Sequence, residues 1–99
     1  MRSHLTLQAI EDLDNIRAYL LPRSASGAEH VRLSIELTID LLTIFPGIAR
    51  DTDIKDVRVI PVMGYPYLVY HRLTRSEVVV VHIRHSSREN PSPHALKRE

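Results

Sequence analysis

The sequence predicts an α+β fold, in which an N-terminal antiparallel helix hairpin packs on a C-terminal antiparallel sheet of three or four strands. Apolar residues recur at steps of three and four through residues 6–44, which is typical of amphipathic helices. β-Branched and aromatic residues then dominate residues 57–85, in runs of strand length separated by short turns. Because both halves must bury their apolar faces in one core, we expect two layers, with the helices on one face of the sheet.

The first helix is predicted over Thr6–Leu21. Its apolar stripe consists of Ala9, Leu13, Ile16 and Leu20. The charged residues, Asp12 among them, are assigned to the opposite side. Thr6 is the expected N-cap, and Pro22 ends the helix because its ring removes a backbone donor and disfavours helix in the residue before it.

A second helix is predicted to begin near Ser24 and to end at Pro46. Ser26 and Glu29 have the spacing of a capping box, and Ser24 is the alternative N-cap. One face is marked by Ala28, Val31, Ile35, Ile39 and Leu42, and it is broadened by Leu33, Leu37, Leu41 and Ile44. Such a wide stripe implies burial on more than one side. The short connection between the helices implies an antiparallel hairpin.

Three strands are predicted, over residues 57–62, 65–73 and 77–85. The turns at Met63–Gly64 and Thr74–Ser76 are short enough for hairpins, so the strands should form an antiparallel meander. Pro61 and Pro66 belong at strand ends, edges or bulges because they cannot donate to a ladder. His4 and Leu5 could add a short edge strand. Residues 46–55 are interpreted as a loop, and the tail over about 90–99 as irregular.

The last predicted strand is apolar on both faces. Strict alternation places Val79, Val81 and Ile83 on one face and Val78, Val80, His82 and Arg84 on the other. The predicted helices cover only one face of the sheet. The other face either forms an exposed interaction surface or is covered by the tail or by strand twist.

Composition bounds the protein class. Ninety-nine residues, 43% of them hydrophobic, suit a single domain over 1–99. The absence of cysteine excludes disulfides and thiolate chemistry and fits a reducing cytoplasm. No stretch approaches the roughly 18 apolar residues of a membrane span, and the first residues lack the apolar run of a signal peptide. We therefore expect a soluble, cytoplasmic protein without a membrane partner.

Charge is unevenly distributed although the net charge is only +1. Residues 1–56 carry six basic and nine acidic side chains, whereas residues 57–88 carry five arginines and a single acid, Glu77. An arginine-rich half suits recognition of phosphates, carboxylates or an acidic partner. The alternative is a set of solvated surface arginines.

Two histidines near the end of the last strand raise the question of a metal site. His82 and His85 are three residues apart, an offset that points side chains to opposite faces of a strand, so no metal and no cofactor are predicted. His85 can be a proton-transfer group or a structural ring with one nitrogen bonded to backbone. Tyr65, Tyr67 and Tyr70 favour cross-strand packing over base stacking.

Motifs over residues 5–91 match a known pattern in order and spacing. They are Ala9, Asp12, Leu13, Ile16 and Tyr19, then Phe45, Pro46 and Arg50, then Arg58, Val62 and the run Tyr65–Tyr70, and finally His85 and Arg88. This set resembles the ParE-like branch of the RelE/ParE toxin superfamily of bacterial toxin–antitoxin pairs. The resemblance implies a cognate ParD-like antitoxin, whose extended C-terminal segment wraps apolar grooves of the toxin while its N-terminal domain binds operator DNA.

The resemblance implies one of two activities. ParE-like toxins bind DNA gyrase and stall it on cleaved DNA, whereas RelE-like relatives cleave messenger RNA at the ribosome. The nucleases resemble one another in a basic cluster with a tyrosine or a His–Tyr pair near the C-terminus, but here Ser86 follows His85 and no tyrosine follows Tyr70. We therefore expect a gyrase poison that is not an enzyme. A RelE-like ribonuclease and a degenerate toxin acting as a binding module remain the alternatives.

Candidate residues follow for each role. Antitoxin contact is expected at Leu13, Ile16, Tyr19, Leu20, Val78 and Val80, and toxicity at Arg58, Arg72, His85 and Arg88. If the protein is a ribonuclease, the catalytic candidates are Arg58, Arg72, Arg84 and His85, because RNA cleavage needs groups that move protons and stabilise phosphate charge.

Overall fold

The computed structural model describes residues 1–87, which form two helices and one five-stranded sheet. The elements follow in the order β1 (Arg2–Leu5), α1 (Leu7–Leu20), α2 (Ala25–Ile44), β2 (Arg50–Asp51), β3 (Arg58–Pro61), β4 (Tyr67–Leu73) and β5 (Glu77–His85). In space the strand order is β1-β5-β4-β3-β2. The predicted α+β plan is confirmed. Arg88 and the tail over 90–99 lie outside the described residues. Within them, neither helix is long and apolar enough to cross a membrane.

Side-chain caps determine where both helices begin. The Thr6 hydroxyl accepts a hydrogen bond from the Ala9 N–H at 3.2 Å, as predicted for α1. The Ser24 hydroxyl accepts from the Gly27 N–H at 2.9 Å and caps α2. The capping box at Ser26 is therefore wrong. Helix α2 already starts at residue 25, and Ser26 lies inside its first turn.

The N-terminal strand β1 makes the sheet mixed instead of antiparallel. It pairs in parallel with β5, from Arg2 opposite Glu77 to Leu5 opposite Val80. The Thr6 N–H continues this ladder with a hydrogen bond to the Val80 carbonyl at 3.0 Å. The possible short edge strand at His4 and Leu5 is thus confirmed, but four residues with a single large aliphatic side chain carry too little periodicity to predict its direction or partner.

A two-residue strand, β2, lies in the segment that was predicted as a loop. Arg50 pairs with Val59 and Asp51 with Arg58, so β2 forms the far edge of the sheet. The chain then turns back through Asp56, whose φ of 64° lies in the left-handed region that aspartate tolerates better than most residues. Two residues are too few for any sequence pattern to be visible.

A bulge in β5 shifts the register of the sheet. Tyr70 of β4 pairs with His82, but the next residue, His71, pairs with Val80, so Val81 is an extra residue on β5. Each extra residue in a strand moves all later side chains to the opposite face. The strict alternation assumed for this strand therefore holds only up to Val81.

The bulge changes the face on which Ile83 lies. Ile83 joins Val78 and Val80 in the core under the helices, whereas Val79 and Val81 lie on the other face. The prediction that grouped Ile83 with Val79 and Val81 is wrong for this reason. Val78 and Val80 precede the bulge and share one face of the sheet, as predicted.

Both faces of the sheet carry buried apolar clusters. The main core lies between helices and sheet and contains Ala9, Val31, Ile35, Ile39, Leu42, Val62, Tyr67, Val69, Val78, Val80 and Ile83. The second cluster consists of Val57, Val59, Tyr70, Val79 and Val81, each at most 5% exposed, with Ile54 and Leu68 packed against it. The alternative of an exposed apolar sheet face is therefore wrong at these positions.

Candidate functional site

A groove of about 750 Å³ opens between the helix hairpin and the C-terminal end of β5. Its apolar lining among the described residues comes from Ile16, Leu20, Val31 and Ile83. Tyr19, Tyr65 and Tyr67 add aromatic rings, and Asp12, His82, Arg84 and His85 add polar groups. An apolar lining with a few polar groups is typical of a binding site, and we refer to this cleft as the hairpin groove.

The groove exists because β5 extends beyond its neighbour β1, which pairs only with residues 77–80. Past that point α1 takes the place of a strand. The Thr6 hydroxyl donates to the Val81 carbonyl at 3.4 Å, and the Asp12 carboxylate accepts from the Ile83 N–H at 2.9 Å. Side chains of α1 and of its N-cap Thr6 therefore satisfy backbone groups of β5 that have no neighbouring strand to bond to.

Asp12 is the central polar residue where α1 meets the end of β5, and its side chain is only 11% exposed. Its Oδ2 atom accepts from the Ile83 N–H and lies 2.7 Å from Nδ1 of His82. Its Oδ1 atom accepts from Nε2 of Gln8 at 2.9 Å. A buried carboxylate with this many partners is well satisfied and holds the helix to the strand.

The assignment of Asp12 to the solvent side of α1 is wrong. Asp12 lies three residues after Ala9 and four before Ile16, so helical periodicity places it beside the buried stripe. That spacing was the signal that could have revealed it. The prediction assigned Asp12 to the solvent side only because its side chain is charged.

A polar network continues from Asp12 across β5. The His82 ring is tilted against the Tyr70 ring, with 5.8 Å between their centroids. The Tyr70 hydroxyl accepts a hydrogen bond from Nε of Arg84 at 3.0 Å. Nη1 of Arg84 donates to the carbonyls of His85 at 3.1 Å and Ser86 at 3.4 Å. The guanidinium is thus held in place beside the end of the strand.

His85 packs at the strand end and bonds to backbone. Its ring lies edge-on to Tyr67, with centroids 5.4 Å apart. Its Nδ1 atom accepts from the Ser87 N–H at 3.1 Å and lies 2.7 Å from the Ser87 hydroxyl. A backbone N–H can only donate, so this nitrogen acts as an acceptor. These contacts match the second interpretation of His85, a structural ring with one nitrogen bonded to backbone.

The candidate toxicity residues are not assembled on one surface. Arg58 lies between Val59 and Val57, which face the second cluster, so its side chain points to the helix side of the sheet. Arg72 alternates with His71 on β4 and points to the other side. His85 pairs with Tyr67, four residues along β4 from the partner of Arg58, or roughly 13 Å away. Arg88 lies outside the described residues.

The residues predicted to contact an antitoxin divide into two groups. Ile16, Tyr19 and Leu20 line the hairpin groove, and Leu13 packs against the core nearby. The Tyr19 ring is covered by the Arg23 guanidinium, 3.8 Å from the ring centroid. In contrast, Val78 and Val80 are both 0% exposed under the helices. We correct the prediction for these two valines, because no partner can touch their side chains while the core is closed.

A further buried histidine lies outside the groove. His71 is 0% exposed, and burial lowers the pKa of its ring. The Val69 carbonyl opposes this pKa shift in part, and the Arg58 guanidinium adds to it. No ring nitrogen makes a hydrogen bond of normal geometry with residues 1–87. Burial therefore favours the neutral form of this ring.

The described residues offer no cluster of metal ligands. Within residues 1–87, no three histidine, aspartate or glutamate side chains come close enough to hold a metal ion. Asp12 and His82 form a pair without a third ligand, and the carboxylate is already bonded to backbone. Asp12 and His82 therefore take part in hydrogen bonds that join α1 to β5.

Comparisons with known proteins agree with one another. The family model described as "ParE toxin of type II toxin-antitoxin system, parDE" matches residues 4–90. A Sinorhizobium fredii protein named "Putative toxin Y4kP" is 29% identical over 90 residues, which are 91% of this chain and 93% of that protein. A solved chain from the "Chromosomal ParDE TA system from P. aeruginosa" superposes with a TM-score of 0.75 at 20% identity, covering 86% of this chain and 95% of that one. At this identity the structural match shows a shared fold.

Proposed function

Because the chain belongs to the ParE toxin family of parDE type II toxin–antitoxin systems, as its motifs predicted, we propose that it inhibits growth by binding and poisoning DNA gyrase. A ParD-like antitoxin neutralises it in this proposal and provides the sole contact with operator DNA. The hairpin groove is the observation that carries the proposal, since it is an apolar cleft whose polar side chains Arg84 and His85 are already bonded within the chain. The protein then acts in the cytoplasm, where gyrase acts on DNA.

The hairpin groove suits a segment of a second polypeptide. Its apolar residues Ile16 and Leu20 are only partly buried, and Tyr19 stands 55% exposed at its edge. Covering these side chains removes apolar surface from water, which is the main driving force for association. A segment laid along α1 toward β5 would cover all three together, so we place the antitoxin there.

The ribonuclease alternative has one observation in its favour. His85 and Tyr67 are in edge-on ring contact beside Arg84, which places a histidine, a tyrosine and an arginine at one end of the groove. Two observations favour binding. Arg84 is bonded to the Tyr70 hydroxyl and two backbone carbonyls, and His85 is bonded to Ser87. Arg58 and Arg72 lie on opposite sides of the sheet.

Two assays on purified chain free of antitoxin test the proposal. In a DNA supercoiling and cleavage assay with purified gyrase, we expect loss of supercoiling and accumulation of cleaved DNA, both relieved by adding the antitoxin. In a ribosome assay on messenger RNA, we expect no cleavage. Cleaved messenger RNA with unaffected gyrase would instead establish the ribonuclease. A chain that is inactive in both assays but still binds its antitoxin would be a degenerate toxin.

A further inference from the structure

Four consecutive residues of β5, from His82 to His85, line the hairpin groove. Neighbouring residues of a strand point to opposite faces of the sheet. Ile83 lies in the main core on the helix side, whereas the His82 ring lies against Tyr70 of the second cluster on the other side. A single cleft can reach both faces of a strand only at its edge. The hairpin groove therefore runs along the edge of β5 that β1 leaves uncovered.

The pairing of β5 with β4 determines which backbone groups face this edge. Successive residues of a strand direct their N–H and C=O groups to alternate sides. The Ser86 N–H donates to the Pro66 carbonyl at 2.7 Å, so the backbone of Ser86 is directed toward β4. By this alternation Arg84 also faces β4, whereas Ile83 and His85 direct their backbone groups away from β4 and toward the groove.

Two of these four groove-facing groups are already bonded within the chain. The Ile83 N–H donates to the Asp12 carboxylate at 2.9 Å, so this residue does face α1. The His85 carbonyl accepts from Nη1 of Arg84 at 3.1 Å. The other two, the Ile83 carbonyl and the His85 N–H, have no hydrogen-bond partner among residues 1–87. One acceptor and one donor therefore lie open at the edge of β5.

An extended backbone can bond to both open groups at once. One residue of a parallel strand, or two residues of an antiparallel strand, supply a donor for the Ile83 carbonyl and an acceptor for the His85 N–H. A helix cannot do so, because its interior N–H and C=O groups are bonded to one another. An open strand edge is a template for pairing with another chain, so this edge favours an extended occupant.

The two faces beside the edge differ in character. On the helix side, the apolar residues Ile16, Leu20 and Val31 line the groove, whereas His82 and Arg84 line it from the other face. Side chains of an added strand also alternate between the faces. A matching segment therefore carries apolar side chains at every second position and polar side chains between them.

We propose that a segment of the antitoxin adds to the edge of β5 as a short extra strand, with backbone hydrogen bonds to the Ile83 carbonyl and the His85 N–H. Its apolar side chains lie toward Ile16 and Leu20, and its polar side chains lie toward His82. The inference rests on the part of the proposed function that places the antitoxin in the hairpin groove. It does not rest on gyrase inhibition.

NMR of the complex between isotope-labelled chain and isotope-labelled antitoxin tests the pairing. Scalar coupling across hydrogen bonds should link the His85 amide nitrogen to a carbonyl carbon of the antitoxin. It should also link the Ile83 carbonyl carbon to an amide nitrogen of the antitoxin. Neither coupling is expected in the free chain. A helical segment of the antitoxin beside Ile83, shown by its nuclear Overhauser contacts, would overturn the proposal.

Substitution of His85 tests the donor. Both His85→Pro and His85→Ala lose the ring contact with Tyr67, but only His85→Pro also loses the backbone N–H. His85→Pro should therefore bind the antitoxin about tenfold more weakly than His85→Ala in isothermal titration calorimetry. Proline is tolerated at a strand edge, and equal melting temperatures of the two variants exclude unfolding as the cause.

A chemical change in the partner tests the acceptor without altering this chain. The antitoxin segment that NMR places beside Ile83 is synthesised as a peptide in two forms. In one form an N-methyl group blocks the N–H that bonds to the Ile83 carbonyl. In the control the N-methyl group is on the next residue, whose N–H points away from β5. The first peptide should bind at least about tenfold more weakly than the control.

The outcomes separate this inference from the proposed function. Equal affinities of the two His85 variants together with equal affinities of the two peptides would show that the antitoxin binds without strand pairing. The antitoxin would then still neutralise the toxin, and only the inference would fail. An antitoxin that does not bind at all would overturn the inference and the antitoxin part of the proposed function. Couplings at Ile83 and His85 in a chain that leaves gyrase unaffected would support the inference and refute the gyrase proposal.

Discussion

In its first half, residues 77–80, β5 has a strand on each side, whereas in its second half α1 replaces one of those strands. The strand-flanked half is apolar on both faces, from Val78 to Val80, because neighbouring backbones satisfy its N–H and C=O groups. The helix-flanked half carries His82, Arg84 and His85. There, side chains have to form the hydrogen bonds that a neighbouring strand would otherwise provide to the backbone of β5.

This difference explains why the polar groups gather where the groove is. A helix presents only side chains to the strand beside it, so the N–H of Ile83 needs a carboxylate such as Asp12. The carboxylate in turn orients His82. Polar side chains that replace a missing strand thus line the place where a second polypeptide can enter. We expect the two halves of β5 to respond differently to substitution and to pH.

The largest effect is expected from Asp12→Leu. It leaves the Ile83 N–H buried without an acceptor and removes the partner of His82, which should lower the free energy of unfolding by about 3 kcal/mol. Asp12→Asn keeps an acceptor oxygen and should recover part of the loss. Urea denaturation measures both variants.

Asp14→Leu is the matched control for Asp12→Leu, since Asp14 is exposed on the same helix and the substitution is identical. It should change the free energy of unfolding by less than about 0.5 kcal/mol. If the Asp12 and Asp14 variants were equally stable, the carboxylate would not be the link between α1 and β5.

In the strand-flanked half, the expected effect is smaller and has a different origin. Val80→Ala removes two methyl groups from a fully buried site and should cost about 2 kcal/mol in urea denaturation. The loss should be the same at pH 6 and at pH 8, since nothing ionisable is removed. A loss under about 0.5 kcal/mol would mean that the core relaxes around this position.

The elements that could be predicted from sequence are those with local signals. Thr6, Pro22 and Pro46 mark helix limits by capping or by ring geometry, and periodicity over residues 6–44 and 57–85 gives the element types. Strand β1 was expected only as a possible short edge strand at His4 and Leu5, because its partner β5 lies far away in the chain, and β2 was predicted as a loop. Their own four and two residues carry almost no pattern.

The site was predictable where it follows helix periodicity and not where it depends on the register of a strand. Ile16 and Leu20 were named from the stripe of α1 and Tyr19 from the motif on the same helix, and all three line the hairpin groove. Val78 and Val80 were named for a partner, although their face lies under the helices. Whether that face is exposed or covered depends on strand pairing and burial, which the whole sheet determines.

The groove itself is tested by Tyr19→Ala. A half-exposed tyrosine at an apolar groove is a typical anchor for a partner, so we expect affinity for the proposed antitoxin to fall about tenfold. Isothermal titration calorimetry measures it. Leu7→Ala, at a residue 73% exposed near the start of α1 and away from the groove, should leave affinity unchanged. Equal losses in both variants would argue that the antitoxin covers all of α1 and not the groove in particular.

The smallest effect is expected from His71, which lies opposite Val80 at the junction of the two halves. Burial lowers the pKa of its ring below the ordinary value of 6.5, so the unfolded chain takes up this proton more readily than the folded one. Its contribution to stability is therefore complete above about pH 6.5 and decreases as the pH falls through that value toward the lowered pKa.

His71→Leu should flatten this part of the stability profile, measured by urea denaturation between about pH 5 and pH 8. His30→Leu, at an exposed histidine of α2, should leave the slope in place. A slope that survives His71→Leu would show that other groups carry the acid sensitivity.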